Sequence, residues 1–420
     1  MMKNILLVFA VLFCLDIVAQ SERDNKKTKK AVFILIDGIA LDMYHKAYTP
    51  NLDDISKTGS FSEAYVGGQK DHISESPTIS AVGYNSLLTG VWAHKHNVFG
   101  NAIKNPNYNY PTIFKLLKDS DSSKKIAIFS TWQDNRTKLI GEGLEQTNFI
   151  KMDYSFDGLE LDKQKFPHDP LKKYLKRIDL EVATKAANYL YTHGPDLTWV
   201  YLEHSDDVGH MLGDSQELYK TISYEDFLVG IIWEAVELRS QKNAEDWLFI
   251  ITTDHGRSPE DGKHHGNQSN RERNIWVSLN KPVDNRYFTN NAIAITDIMP
   301  SIAHFLDIKI PQNTLYELDG VNFFDQADAV NFQGTCINRE FLHLKWQAEN
   351  DIITKAKILI SYTNEFKNGG EDSYKILGSV DIEQKEAQFK IFPPENCQYA
   401  KVVLQTKKHS INTWIKLNKN

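Results

Sequence analysis

Four continuous apolar runs of strand length recur along the chain: Ala31–Ile36, Lys125–Phe129, Leu197–Leu202 and Trp247–Thr252. Uninterrupted apolarity of that length predicts strands buried on both faces rather than strands with one wet side. Between the runs the period changes. Leu180, Ala183, Ala187 and Leu190 are expected on one face of a helix that Gly194 is placed to end. Strands alternating with helices imply an α/β fold, a mostly parallel sheet flanked by helices with right-handed crossovers, here over residues 30–330. From about Phe332 short strand-like segments with polar turns take over: Lys355–Tyr362, Tyr374–Asp381, Gln388–Phe392 and Ala400–Thr406. Residues 335–420 are therefore expected to form a small C-terminal β-sandwich.

With 41% apolar and 25% charged residues, the chain has material for a buried core, and disorder is excluded. Lys and Arg number 48 against 55 Asp and Glu, a formal charge of −7. A nucleic-acid coat is excluded with it, because phosphate-backbone binding rests on clustered cations. Any anionic substrate must be drawn by local charge. Residues 1–19 read as a signal peptide: Lys3 is followed by the apolar run Ile5–Leu15 and a small residue, Ala19, at the cleavage point. That run is too short to span a bilayer and Asp16 interrupts it, so no membrane span and a periplasmic or secreted location are expected. Cys336 and Cys397 then remain, either as a disulfide staple or as two separate thiols.

The chemistry is expected where the strands end, because open α/β sheets bind ligands outside the carboxyl ends of their strands. Three of the four runs lead there into acids: Asp37 after the first, Asp206 in a loop after the third, and Asp254 after the fourth. Histidines accompany two of them. Asp206 and His210 stand four apart across Gly209, Asp254 and His255 are adjacent, and His264-His265-Gly266 follows. Three carboxylates and three imidazoles suit two divalent ions, most simply Zn, with positions left for water and substrate. Two Zn²⁺ against three carboxylates leave an excess near +1, enough to hold an anionic ester in an acidic protein. Ser80 precedes an apolar, helix-like segment, which puts its hydroxyl either at a phosphate-binding helix N-terminus or in an ordinary N-cap. Metal coordination deprotonates a hydroxyl near neutral pH, so no separate general base is needed.

These residues resemble the alkaline phosphatase superfamily, and within it the type I phosphodiesterase/nucleotide pyrophosphatase branch, over about residues 30–325. The motifs appear in the family's order: Phe33-Ile34-Leu35-Ile36-Asp37-Gly38, a nucleophile segment ending Leu88-Thr89-Gly90, Asp206-x-x-Gly209-His210, Asp254-His255-Gly256-Arg257, His265-Gly266 and Thr296-Asp297-Ile298-Met299-Pro300-Ser301. The resemblance implies one metal on Asp206, His210 and His265, and a second on Asp37, Ser80, Asp254 and His255. The family nucleophile is usually Thr, and Thr78 is the alternative. The family spacing to Thr89-Gly90 and to Asn101, the expected phosphate-holding amide of Val98-Phe99-Gly100-Asn101, selects Ser80. A formylglycine of the sulfatase kind is not expected, since Ser80-Ala81-Val82-Gly83-Tyr84 lacks the Cys/Ser-x-Pro-x-Arg pattern.

The implied reaction is in-line displacement on a small phosphate ester through a covalent seryl intermediate, with activity rising toward alkaline pH. Diester or pyrophosphate cleavage is favoured over monoester cleavage, because no Lys-x-Arg pair follows the second run, only Ser130-Thr131-Trp132-Gln133-Asp134-Asn135-Arg136. Trp132 is read as a stacking platform or as packing, Arg257 and Arg271 as anion contacts or acid partners, and His264 as an outer or exposed neighbour of His265. Slow sulfate ester hydrolysis, a secreted binding protein with a decayed site, and a β module that anchors the enzyme to a polysaccharide remain as other readings.

Overall fold

The structure, a computed structural model, describes residues 27–290, 292–349 and 354–417. The expected signal peptide, residues 1–19, lies outside them. Among the described residues no helix is long and apolar enough to cross a membrane.

Eight strands form one large sheet: β1 (Thr28–Ile36), β2 (Ser60–Tyr65), β3 (Ile126–Ser130), β4 (Tyr154–Phe156), β5 (Leu197–Leu202), β6 (Glu245–Thr252), β7 (Asn274–Leu279) and β8 (Ile293–Ala294). Their order is β4-β3-β5-β1-β6-β7-β2-β8. The five strands from β4 to β6 run parallel, whereas β7 is antiparallel to both of its neighbours. The four apolar runs are β1, β3, β5 and β6, the middle of the sheet. Their side chains alternate between two cores. Phe33, Leu35, Trp199, Leu248 and Ile250 join one, and Val32, Ile34, Ile36, Val200 and Phe249 join the other.

Helices Lys173–His193 and Gln216–Lys242 cover the second face. The buried stripe of the first is Tyr174, Leu175, Ile178, Val182, Ala183, Ala186, Ala187 and Leu190. Leu180, expected on that stripe, is 41% exposed. It lies two residues from both Ile178 and Val182, well off the buried direction of a 3.6-residue turn. Gly194 ends the helix in the left-handed conformation, as expected. Helices Ser80–Thr89, Ile113–Ser120 and Ile298–Phe305 pack on the first face.

The C-terminal strands are β9 (Ala329–Ile337), β10 (Phe341–Ala348), β11 (Lys355–Ser361), β12 (Lys375–Asp381), β13 (Glu386–Lys390), β14 (Tyr399–Gln405) and β15 (Ser410–Lys416). They form two antiparallel sheets, β13-β10-β9 and β12-β11-β14-β15. Leu342, Leu344 and Trp346 of one sheet and Ile358, Val402 and Ile415 of the other share the hydrophobic cluster that runs on beneath the helices of the first face. Cys336 and Cys397 are free thiols.

Two lysines clasp the segment joining these parts. Lys95 Nζ donates to Glu317 O (2.7 Å), Asp319 Oδ1 (2.6 Å) and Asn412 Oδ1 (2.9 Å). Lys401 Nζ donates to Glu317 Oε1 (2.7 Å) and Asp372 Oδ2 (2.6 Å), with all three side chains nearly inaccessible. Both ammonium groups lie over the ring of Trp414.

Candidate active site

Strands β5, β1 and β6 are neighbours and parallel, so their carboxyl ends open at one edge of the sheet. Asp37 follows β1 directly, and its backbone N–H donates to Leu202 O at the end of β5 (3.0 Å). Asp254 follows β6, and its Oδ1 accepts the Gly38 N–H (3.1 Å). Two acids distant in sequence are thus locked side by side by the backbone.

Asp206 does not lie in a loop as expected. It sits in the first turn of helix His204–Leu212. The start of that helix is capped from outside. Asp179 accepts the N–H groups of Glu203 and His204, and Glu225 Oε1 accepts that of Ser205 (2.9 Å). The i,i+4 spacing then sets Asp206 and His210 on one helical face, with His210 Nε2 3.2 Å from Asp206 Oδ2. Gly209 does not turn a loop here. A Cβ there would stand 2.5 Å from the Arg257 Cζ, so the glycine makes room for a guanidinium.

The three histidines turn one ring nitrogen to backbone and the other inward, an arrangement that fixes the tautomer. His255 Nδ1 donates to Gly256 O (2.9 Å) and His265 Nδ1 to Thr78 O (2.8 Å), while His210 is held through the Lys263 backbone. Inward, His255 Nε2 lies 3.3 Å from Asp254 Oδ2, 3.4 Å from Asp37 Oδ1 and 3.8 Å from Asp206 Oδ1. His265 Nε2 is 3.0 Å from His210 Nε2, and the rings of His255 and His265 stack at 3.6 Å.

Ser80 is the first residue of helix Ser80–Thr89, with Ile79 rather than itself as the N-cap. Its Oγ is therefore not spent on capping and lies 3.3 Å from His255 Nε2. Thr78 is committed elsewhere. Its hydroxyl donates to Asn267 O (2.7 Å) and accepts the Gly266 N–H (2.9 Å), tying down the loop that carries His265. Asn101 Oδ1 accepts the Ala81 N–H (3.0 Å), which sets the side-chain amide at the start of the helix that begins with Ser80.

Asp37 Oδ1 and Asp254 Oδ2 are buried and have no hydrogen-bond partner among the described residues. Burial, then the Asp254 and Asp206 carboxylates, push the Asp37 carboxyl well above its usual range, and burial pushes Asp254 up to about 7. Asp206 differs. Burial works to raise it, but the Arg257 guanidinium and the His210 hydrogen bond hold it well below the usual carboxylate range. Burial pulls His255 and His265 down. Two buried, orphaned carboxyl oxygens whose ionised form is penalised, set beside imidazole lone pairs, lack a compensating positive charge, and that donor set fits divalent cations. Asp37, Asp254 and His255 present ligand atoms within 4.8 Å of one another, as do Asp206, His255 and His265.

No motif marks two further members of the site. Tyr84 and Tyr201 both place their hydroxyls on Asp37 Oδ2, Tyr201 at 2.7 Å, with the two phenol oxygens 2.8 Å apart. Burial and then the Asp37 charge push both phenols up, so they stay protonated donors. The trace in the sequence is that Tyr84 stands one helical turn after Ser80. Trp132 packs edge-on against Tyr84 (6.2 Å). Arg271 is tied to Asp42, Asp214 and Ser258 O, and His264 is exposed.

The family profile described as type I phosphodiesterase / nucleotide pyrophosphatase matches residues 31–304. No curated protein sequence matches the chain. Among solved structures, the phosphonate monoester hydrolase of Agrobacterium radiobacter is similar at 12% identity and a TM-score of 0.51, over 93% of this chain and 89% of that one. Ps i-CgsB in complex with k-i-k-neocarrahexaose gives 14% and 0.50, over 77% and 82%. Human ectonucleotide pyrophosphatase/phosphodiesterase 5 gives 16% and 0.48, over 68% and 96%. At these identities the likeness is one of fold.

Proposed function

Because the chain belongs to the type I phosphodiesterase/nucleotide pyrophosphatase family of the alkaline phosphatase superfamily, we propose that it is a secreted or periplasmic, two-metal phosphodiesterase whose nucleophile is Ser80. The observation that carries this reading is the position of Ser80 Oγ, 3.3 Å from His255 Nε2, which itself faces the orphaned oxygens of Asp37 and Asp254. Asp37, Ser80, Asp254 and His255 would hold one cation, and Asp206, His210 and His265 the other. Bound there, two divalent ions, most simply Zn²⁺, supply Lewis-acid charge to the ester oxygens and ease loss of the Ser80 proton.

The rest falls to the chain. The first turn of helix Ser80–Thr89 brings its positive end to the phosphoryl group. Asn101 donates its amide N–H to a nonbridging oxygen as charge builds there. Ser80 Oγ attacks phosphorus, the bond to the leaving oxygen breaks, and a seryl phosphodiester forms. Water then attacks the same phosphorus and frees Ser80, so ester plus water gives alcohol plus phosphate monoester. The diester preference is supported by the engagement of both candidate arginines. Arg257 is bound to Asp206 and Gly38 O, and Arg271 to Asp42 and Asp214. Each guanidinium charge is already matched by carboxylates, which leaves less of it for the second charge of a monoester dianion.

Rates on bis-(p-nitrophenyl) phosphate, p-nitrophenyl phosphate and p-nitrophenyl sulfate with zinc-loaded enzyme test the reading, with the diester expected fastest. Ser80→Ala should abolish turnover while both cations still bind, and an acid quench should leave a phosphoryl adduct on Ser80. Full activity in Ser80→Ala would move the nucleophile to Thr78 and sink the assignment.

A further inference from the structure

Arg257 is fully buried. Its Nε donates to Gly38 O (2.9 Å), and its Nη2 donates to Asp206 O (2.8 Å) and Asp206 Oδ1 (2.5 Å). Two glycines make the slot. Gly38 has φ +70°, and a Cβ on it would lie 2.5 Å from Arg257 Nη2; one on Gly209 would lie 2.5 Å from Arg257 Cζ and Nη2. The guanidinium is fully enclosed and held by three hydrogen bonds, and unlike a lysine it does not shed its proton. Its charge is a fixed part of the Asp206 carboxylate.

Among the described residues no such partner meets the other acids of the cluster. Asp37 takes two neutral phenols on Oδ2, Asp254 takes a backbone N–H on Oδ1, and the second oxygen of each is buried and orphaned. The two donor sets therefore differ in charge although they look alike in residue type. Ionised, as ligands to a cation must be, Asp37 and Asp254 with neutral His255 carry −2. Asp206 with neutral His210 and His265 carries −1, which Arg257 cancels.

Resting on the two-cation reading above, we propose that Arg257 makes the two metal sites unequal. The site of Asp37, Ser80, Asp254 and His255 holds its cation permanently, and the site of Asp206, His210 and His265 holds a cation that exchanges with the medium. A guanidinium hydrogen-bonded to a ligating carboxylate acts from the outer shell, where changes shift metal affinity by about 10- to 100-fold. The Kd of the second site is expected to exceed that of the first by at least that factor.

The test is zinc content after graded chelator dialysis and calorimetric titration of the stripped full-length protein, with no activity readout. Two separate steps are expected. Asp37→Asn should remove the tight step and His210→Ala the weak one. Arg257→Gln, neutral but still able to donate to Asp206, should tighten the weak step about 10- to 100-fold, whereas Arg257→Lys, which keeps the charge, should leave it weak; circular dichroism checks that each folds. Two equal steps in the wild-type protein overturn the inference and leave the two-cation reading standing. Equal effects of Gln and Lys overturn it as well, since geometry rather than charge would then set the affinity. A chain that binds no zinc overturns both.

Discussion

At the scale of single residues, second partners decide what each group does. Asp37 is aimed by Tyr84 and Tyr201, whose hydroxyls occupy Oδ2 and leave Oδ1 to face the cluster. Tyr84→Phe is expected to lower zinc affinity by about 10- to 100-fold with the fold retained, measured by zinc titration and by kcat/KM on bis-(p-nitrophenyl) phosphate. His96 shows the same logic in stability. Its Nδ1 accepts the Val98 N–H (3.1 Å), so Nε2 carries the proton, which goes to Ser86 Oγ (3.1 Å) in the middle of helix Ser80–Thr89. Burial pulls this imidazole from 6.5 to about 3. Between those values the folded chain binds fewer protons than the unfolded one, so the contribution is complete above pH 6.5 and is lost as pH falls toward 3, by roughly 4–5 kcal/mol in all. His96→Asn keeps an acceptor for Val98 but does not titrate. Its denaturant-unfolding free energy should decline less between pH 6.5 and 3 than that of the wild type.

At the scale of elements, the helix that begins with Ser80 is set by contact with the end of β6. A Cβ at Gly83 would stand 2.7 Å from Asp254 O and 2.9 Å from Asp254 Cβ. Ala in a helix interior gains about 1 kcal/mol over Gly, so Gly83→Ala should melt close to the wild type. The helix must nevertheless retreat from Asp254 and draw Ser80 away from His255. A displacement of that order costs about 100-fold in rate, expected in kcat rather than in thermal stability. The elements also show what was legible in the sequence. Strands β1, β3, β5 and β6 were plain because burial on both faces leaves unbroken apolar runs. Strands β2 and β7, with mixed composition and an antiparallel path, left no such trace. The helix carrying Asp206 was hidden because Asp179 and Glu225, from two other helices, satisfy its first N–H groups, and Arg257 stayed open between anion contact and acid partner because the slot that buries it is made by distant glycines.

For the whole molecule, the two C-terminal sheets are expected to unfold together with the large sheet. Their inner faces share one hydrophobic cluster with it, and Lys401 is buried between Glu317 and Asp372. Removing one member of a buried ion pair leaves the others uncompensated, at a cost of about 3–5 kcal/mol. Lys401→Met should therefore lower the melting temperature of the full chain in a single calorimetric transition. Two transitions, with only the second moved, would mean that the sheets fold apart from the catalytic part.

Thr78 joins these scales. With its hydroxyl and carbonyl it grips Gly266, Asn267 and His265, two residues before Ser80. The stretch of backbone that carries Ser80 and the loop that carries His265 are thus riveted together. A ligand wedged against one must carry the other with it, so on the proposed two-cation reading loss of the cation at His265 and misalignment of Ser80 would be one mechanical event, felt together by any inhibitor that pries at either side.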